Sequence, residues 1–285
     1  MIKIKKRKPN RSRAGDIFIY LLLIVFGAFF VYPLVYAINN AFKPLNEIFL
    51  FPPKLFVQQP TLNNFSDLFI IMRKSWVPFS RYIFNTVFIT FMGTAGHVIF
   101  ASMGAYVLAK YKFPGSKAFF NLVVTTLMFS GYVTQIPNYL VMSKLGWVDT
   151  YLAVIIPAFA SPIGFFLLKQ FMDSIPDTLI EAAKIDGAKE GKIFLNIVMP
   201  MVKPAWLTVI IFSIQSLWNN KASNFIYSEE LKTLPYALQQ IISGGIARAG
   251  VGAAVTLFVM VVPVLAFVLA QSNIIETMAN SGIKD

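Results

Sequence analysis

Residues 173–204 read DSIPDTLIEAAKIDGAKEGKIFLNIVMPMVKP, and a long uncharged apolar run lies on each side of them. Nine of these 32 residues are charged, in a chain that is only 13% charged overall. The segment therefore belongs in water while its flanks do not. Pro176 suits the first turn of a helix, with Ser174 or Asp177 available as its cap. Leu179, Ala182, Ala183 and Ile185 follow at helical spacing, and Gly187 fits a helix end that needs a positive φ. A second amphipathic helix is expected from Lys189, with Ile193, Phe194, Ile197 and Val198 on one face. Pro200 and Pro204 then return the chain to the apolar phase. The stretch reads as a helix–turn–helix whose corner of small residues (Ala182, Ala183, Gly187, Ala188) lets another protein approach closely.

Outward from this segment, six stretches contain no Asp, Glu, Lys or Arg: 17–42, 82–109, 118–143, 150–168, 204–220 and 249–275. A helix crosses a bilayer with about 20 apolar residues, within a range of roughly 17–25. Barrel strands would be shorter and would alternate, which these runs do not. The expected fold is an all-α integral membrane protein of six transmembrane helices with a helix–turn–helix between the fourth and fifth. The chain holds 25 Lys and Arg, seven of them before residue 14 and eight more in the loops after the second and fourth runs. That bias places both termini and the helix–turn–helix in the cytoplasm. The expected organisation is a basic tail (1–16), a first helix and outer loop (17–81), a transmembrane core (82–275) and a short tail (276–285). The run after the basic tail is too long for a signal peptide, and no small-residue cleavage site follows it. The Pro- and aromatic-rich loop 43–81 is expected to lie on the membrane surface. Residues 233–247 are expected to form a short helix or re-entrant segment.

Composition excludes several activities. With 56% hydrophobic residues a soluble enzyme is ruled out. There is no Cys and one His, so neither a thiolate nor a His-based metal site can be assembled. No catalytic and no metal-binding residues are expected. No acidic residue lies inside an apolar run, which argues against an ion-coupled carrier. The segment Gly187–Lys192 lacks the spacing and hydroxyl of a phosphate loop. His97, in the second run, reads as a structural hydrogen-bonding residue, and Gly93, Gly96 and Gly104 as close helix packing. Sugar recognition combines aromatic faces with amides. By that chemistry Tyr132, Gln135, Asn138, Trp218, Asn219 and Asn220 are candidates for a substrate path, or else an interfacial belt.

The segment EAAKIDGAKEGKIFLNIVMPMVKP resembles the EAA loop of ABC-importer permeases: Glu181, Ala182, Ala183, Gly187, Ile197 and Pro200 fall in register, and Asp186 and Ala188 give its DGA form. Residues 42–49, 110–119, 136–157 and the tail after Gln271 resemble MalG-like permeases of the maltose and oligosaccharide uptake class. Residues 129–137 and 218–235 depart from that pattern. The resemblance implies a permease subunit that imports a carbohydrate by alternating access at the plasma membrane. Its implied partners are a second homologous permease, two ATP-binding subunits holding ATP and Mg, an extracytoplasmic solute-binding protein and membrane lipid, with no nucleic acid. Glu181, Ala182, Ala183, Asp186, Gly187, Ala188, Phe194 and Pro200 are then the residues that couple to the ATPase.

Overall fold

The computed structural model describes residues 12–222 and 224–281, and all regular elements among them are helical. The expected basic tail falls mostly on residues 1–11, outside the described residues, as does Lys284. In chain order the helices are α1 (Arg13–Phe42), α2 (Leu45–Ile48), α3 (Asn63–Arg73), α4 (Phe79–Lys110), α5 (Ser116–Thr126), α6 (Gly131–Lys144), α7 (Leu152–Phe159), α8 (Pro162–Asp173) and α9 (Asp177–Ile185). They continue as α10 (Glu190–Ile193), a π turn (Phe194–Val198), α11 (Met199–Met201), α12 (Lys203–Trp218), α13 (Leu234–Ile242) and α14 (Ala249–Ser281).

Two compact units can be distinguished. The first comprises the chain up to Leu68 together with Gly244–Leu257. Its helix α1 is apolar around its whole circumference, and none of its apolar window is buried. Asn64 is buried where α1 ends, donating to the carbonyls of Ala41 (2.9 Å) and Lys43 (2.7 Å). Gly250 leaves room for that amide, since a Cβ there would lie 2.2 Å from Asn64 Oδ1.

The second unit, Phe69–Ser243 with the chain from Phe258, is organised around α4, against which α7, α8 and α12 pack. Close approach rests on glycine, as it does between membrane helices generally. Phe159 lies against Gly96, Phe165 against Gly104 and Leu217 against Gly93. Toward the Lys110 end of α4 the core holds Ala105, Tyr106, Leu168, Met172, Ile193, Val198 and Val202. Toward the Phe79 end it holds Ile89, Val154, Ile155, Leu217 and Ile226.

The six expected apolar runs are more broken than six single helices. Four stretches are long and apolar enough to cross: Ala14–Phe42, Phe79–Lys110, Leu152–Asp173 and Ile246–Leu269. The run 118–143 is split into α5 and α6, bent by 111°. Ser130 adopts an extended backbone and accepts from Tyr132 N at 3.4 Å, which caps a new helix in the middle of an apolar run. Glu190–Met201 and α12 form a second bent pair, at 80°. Apolarity measures depth in the membrane; it carries no information about helix direction.

Candidate functional site: the 173–204 hairpin and its anchorage

Helix α9 starts one residue later than expected. Pro176 is the residue before the first turn, Asp177 opens the helix, and neither Ser174 nor Asp177 caps it. The Ser174 hydroxyl instead donates back to Phe171 O (2.7 Å), and Asp177 is drawn to Lys110. The far end follows expectation. Gly187 has φ +77°, Ala188 N donates to Ala183 O and Gly187 N to Lys184 O, both at 3.0 Å. These two bonds are the left-handed helix stop that glycine allows. Nothing lies within 4 Å of a Cβ built on Gly187, so the corner is open.

The apolar face differs from the expected one. Ile180 and Ala183 are buried, while Leu179 is exposed and Ile185 is 87% exposed at the tip. Glu181, Ala182, Asp186 and Gly187 are exposed with it, and Ala188 is half-buried against the core. The second arm is not a regular helix. Its π turn places Ile193 and Val198, five residues apart, in the same core, and both are fully buried. Phe194 sits 5.3 Å from the Tyr106 ring. Pro200 follows in α11.

Both arms are fastened to the end of α4. Lys110, whose side chain is 4% exposed, donates to Ile175 O (2.5 Å) and pairs with Asp177 Oδ1 (2.8 Å). The Lys110 ammonium holds the Asp177 carboxyl below its usual range. Tyr106 donates to Glu190 Oε2 (3.0 Å), whose other oxygen pairs with Lys184 (2.7 Å). That bond to Glu190 raises the Lys184 pKa above its ordinary value, and the ammonium also lies 5.2 Å over the Tyr111 ring. So α9 contributes Asp177 and Lys184, α10 contributes Glu190, and α4 with the residue after it contributes Tyr106, Lys110 and Tyr111.

The substrate-path candidates fall into two groups that no hydrogen bond joins among the described residues. Tyr132 (83% exposed), Gln135 and Asn138 project from α6, all exposed. Trp218 is buried and donates to Val259 O (3.1 Å). It lines an apolar groove of about 650 Å³ with Phe91, Ile99, Trp206, Ile214 and Val262. Asn219 donates to Gln215 O (2.8 Å), and Asn220 Oδ1 accepts from Ala222 N (2.8 Å), so both amides serve local turns. His97 bridges α12 and the α7–α8 break, with Ser213 Oγ at 2.7 Å and Ser161 O at 3.2 Å.

A second anchorage, at the Phe79 end of α4, escaped the sequence reading. Buried Asn85 donates to the carbonyls of Glu230 and Lys232, both at 2.8 Å, and accepts from Tyr151 (2.7 Å). Thr86 accepts from Leu234 N (2.7 Å), and Tyr82 donates to Glu229 (2.7 Å). Asp149, at φ +62°, accepts from Tyr227 N (2.9 Å) and Ser228 N (2.8 Å). The Ser228 hydroxyl, which donates to the same carboxylate, and then the Ser228 and Tyr227 N–H groups hold its carboxyl below the usual range. The available signal was Tyr82, Asn85 and Thr86, polar groups three and four apart on one helix face inside an apolar run.

Apolar helices packed around α4, with one charged hairpin fastened to its end, make the fold of an integral membrane protein. The chain belongs to the family of binding-protein-dependent transport system inner membrane components, whose pattern matches residues 5–277. It is 32% identical over 244 residues to the polygalacturonan/rhamnogalacturonan transport system permease protein YtcP of Bacillus subtilis (strain 168), covering 81% of this chain and 79% of that one. It is 30% identical over 287 residues to the arabinooligosaccharides transport system permease protein AraQ of Halalkalibacterium halodurans, covering 98% and 99%. The fold matches a chain of a bacterial ABC transporter involved in import of the acidic polysaccharide alginate, with TM-score 0.75 at 23% identity, over 93% of this chain and 99% of that one. The chain is thus an ABC-type permease component and a multi-pass protein of the plasma membrane.

Proposed function

We propose that this chain is one of two permease subunits of an importer for an oligosaccharide, with both termini and the 173–204 hairpin in the cytoplasm. The proposal counts six crossings, each bent pair being one. The named substrates of the relatives support a carbohydrate, and the excess of Lys and Arg on the hairpin side supports the orientation. ATP and Mg are held by two separate ATP-binding subunits. A solute-binding protein delivers the sugar from outside, and a second homologous permease completes the path. Tyr132, Gln135 and Asn138 on α6 are the side chains offered to the sugar.

The observation that carries this reading is the hairpin's construction: an open corner of Ala182, Asp186 and Gly187, and a root bonded to α4 through Lys110 and Tyr106. When the ATPase dimer closes, the corner seated in it is displaced. The Lys110 and Tyr106 bonds pass that displacement to α4, which leans on α7, α8 and α12 and so changes which side of the membrane the path faces. Gly187→Asp tests the reading, because it adds a charge that docking must desolvate. We expect the variant to insert in the membrane with its partner permease but to retain the ATP-binding subunits poorly. Wild-type sugar uptake with a full ATPase complement would reject the docking role.

A further inference from the structure

The segment that follows α1 turns its charges inward and its aromatic side chains outward. Lys43 is buried, with its ammonium on the Lys54 carbonyl and Asn40 Oδ1 (2.8 Å) and 5.1 Å over the Tyr36 ring. The Glu47 carboxylate, also buried, accepts from Gln58 N (2.8 Å) and Gln59 N (3.3 Å). Left on the surface are Phe49, Leu50, Phe56 and Phe51, the last 95% exposed. The one exposed charge among them, Lys54, donates to Gln58 Oε1 at 2.7 Å.

The loop also folds back along the helix it leaves. Val57 N donates to Asn39 Oδ1 (3.2 Å), and Thr61 N returns to Phe42 O (2.8 Å). Asn39 lies three residues before the end of α1, about 4.5 Å down its axis at 1.5 Å per residue. The loop therefore sits beside the last turn of α1 and does not stand out from its end. A hydrocarbon core of about 30 Å takes about 20 helical residues. If α1 crosses with its apolar residues from Ile17 to Ile38, Asn39, Asn40 and Lys43 lie at headgroup depth. Tyr36, stacked on Tyr32 at 6.4 Å, then lies where interfacial aromatics collect.

We propose that Phe49, Leu50, Phe51 and Phe56 enter the interfacial layer of the bilayer, so that the loop is a lipid anchor for the end of α1. A soluble partner that comes and goes would use a surface that is wet between encounters, and such surfaces are about as polar as the rest of a protein. An apolar cluster of this kind, on a loop bonded to the last turn of the unburied helix α1, matches lipid, and Lys54 matches headgroup phosphate.

The chain has no Cys, so Phe51→Cys and Phe56→Cys each accept a single environment-sensitive NBD label. Both positions are exposed, and Leu23→Cys, on the unburied side of α1, supplies a reference within the hydrocarbon. The assembled complex is placed in vesicles of phosphatidylethanolamine and phosphatidylglycerol. The labels at 51 and 56 are expected to emit at shorter wavelength than in water. A nitroxide at the lipid headgroup should quench them more than one at the chain end, the reverse of the order at 23, and aqueous iodide should have little effect. Strong iodide quenching without lipid quenching overturns the proposal. Blue-shifted emission that no nitroxide lipid reaches also overturns it, and assigns the loop to a protein contact.

Discussion

The phenol of Tyr106 donates to Glu190 at 3.0 Å, so the central helix and the second arm of the hairpin share a bond across 84 residues of sequence. Lys110, one turn on, holds the first arm through Ile175 and Asp177. The combined variant Tyr106→Phe, Lys110→Met removes these donors while keeping apolar bulk. A hydrogen bond contributes about 1 kcal/mol net, so the pair weakens the clamp by about 2 kcal/mol or more. The ATP-binding subunits should still co-purify, and ATP should still be hydrolysed. Sugar moved per ATP in proteoliposomes should fall severalfold. An unchanged ratio would show that α4 is driven through other contacts.

The Lys110–Asp177 bond has a defined pH response. Lys110 depresses the Asp177 pKa below 3.8, so the contribution is complete above that value and is lost as pH falls through the depressed one. Amide exchange in residues 177–185, corrected for its intrinsic pH dependence, should keep constant protection from neutral pH down to about 4 and lose it only below. Loss of protection between pH 6 and 7 would mean that another group controls the hairpin root.

Glycines of the same chain should respond to different degrees to a methyl group. At Gly96 a Cβ would lie 2.0 Å from the Phe159 ring, and at Gly164 it would lie 2.3 Å from His97 Nε2. Overpacking of this kind costs about 1–3 kcal/mol, so Gly96→Ala and Gly164→Ala should lower the thermal midpoint of the purified complex. Gly187→Ala meets open space and bears only the left-handed backbone penalty of about 1–2 kcal/mol, confined to a loop end. Its effect on the midpoint should be the smallest of the three. Equal losses at all three positions would contradict the packing described for α4.

Ile185 offers a separate test of the hairpin tip. Its side chain is 87% exposed, so Ile185→Ser removes almost no packing within this chain. Thermal stability of the permease alone should be unchanged. Retention of the ATP-binding subunits during purification should drop, because an apolar anchor in a partner's pocket is a common energetic centre of an interface. Full retention would move the docking surface away from the tip.

The substrate chemistry is the least legible part of the sequence. Trp218, Asn219 and Asn220 look like sugar ligands in a row, yet the indole is tied to Val259 and the two amides close local turns. Residue type alone does not say whether an amide's hydrogen bonds are already taken. Asn85 shows the converse: it reads as one polar residue in an apolar run, and it fastens the loop before α13 to α4 from 145 residues away.

The amino-acid sequence by itself determined that this is a helical membrane protein, where its apolar runs fall, that residues 173–204 form a hairpin outside them, and that Gly187 is its left-handed corner. Those properties depend on local composition, helical period and the conformational freedom of one glycine. Only the tertiary structure decided the rest. It bent the 118–143 run by 111° and turned Ile185 outward while Ala183 turned in. It also set Lys110, Tyr106 and Asn85 as the points where distant segments are bonded to α4. These depend on which surfaces meet across 60 to 150 residues of chain, and no local pattern of side chains encodes that meeting.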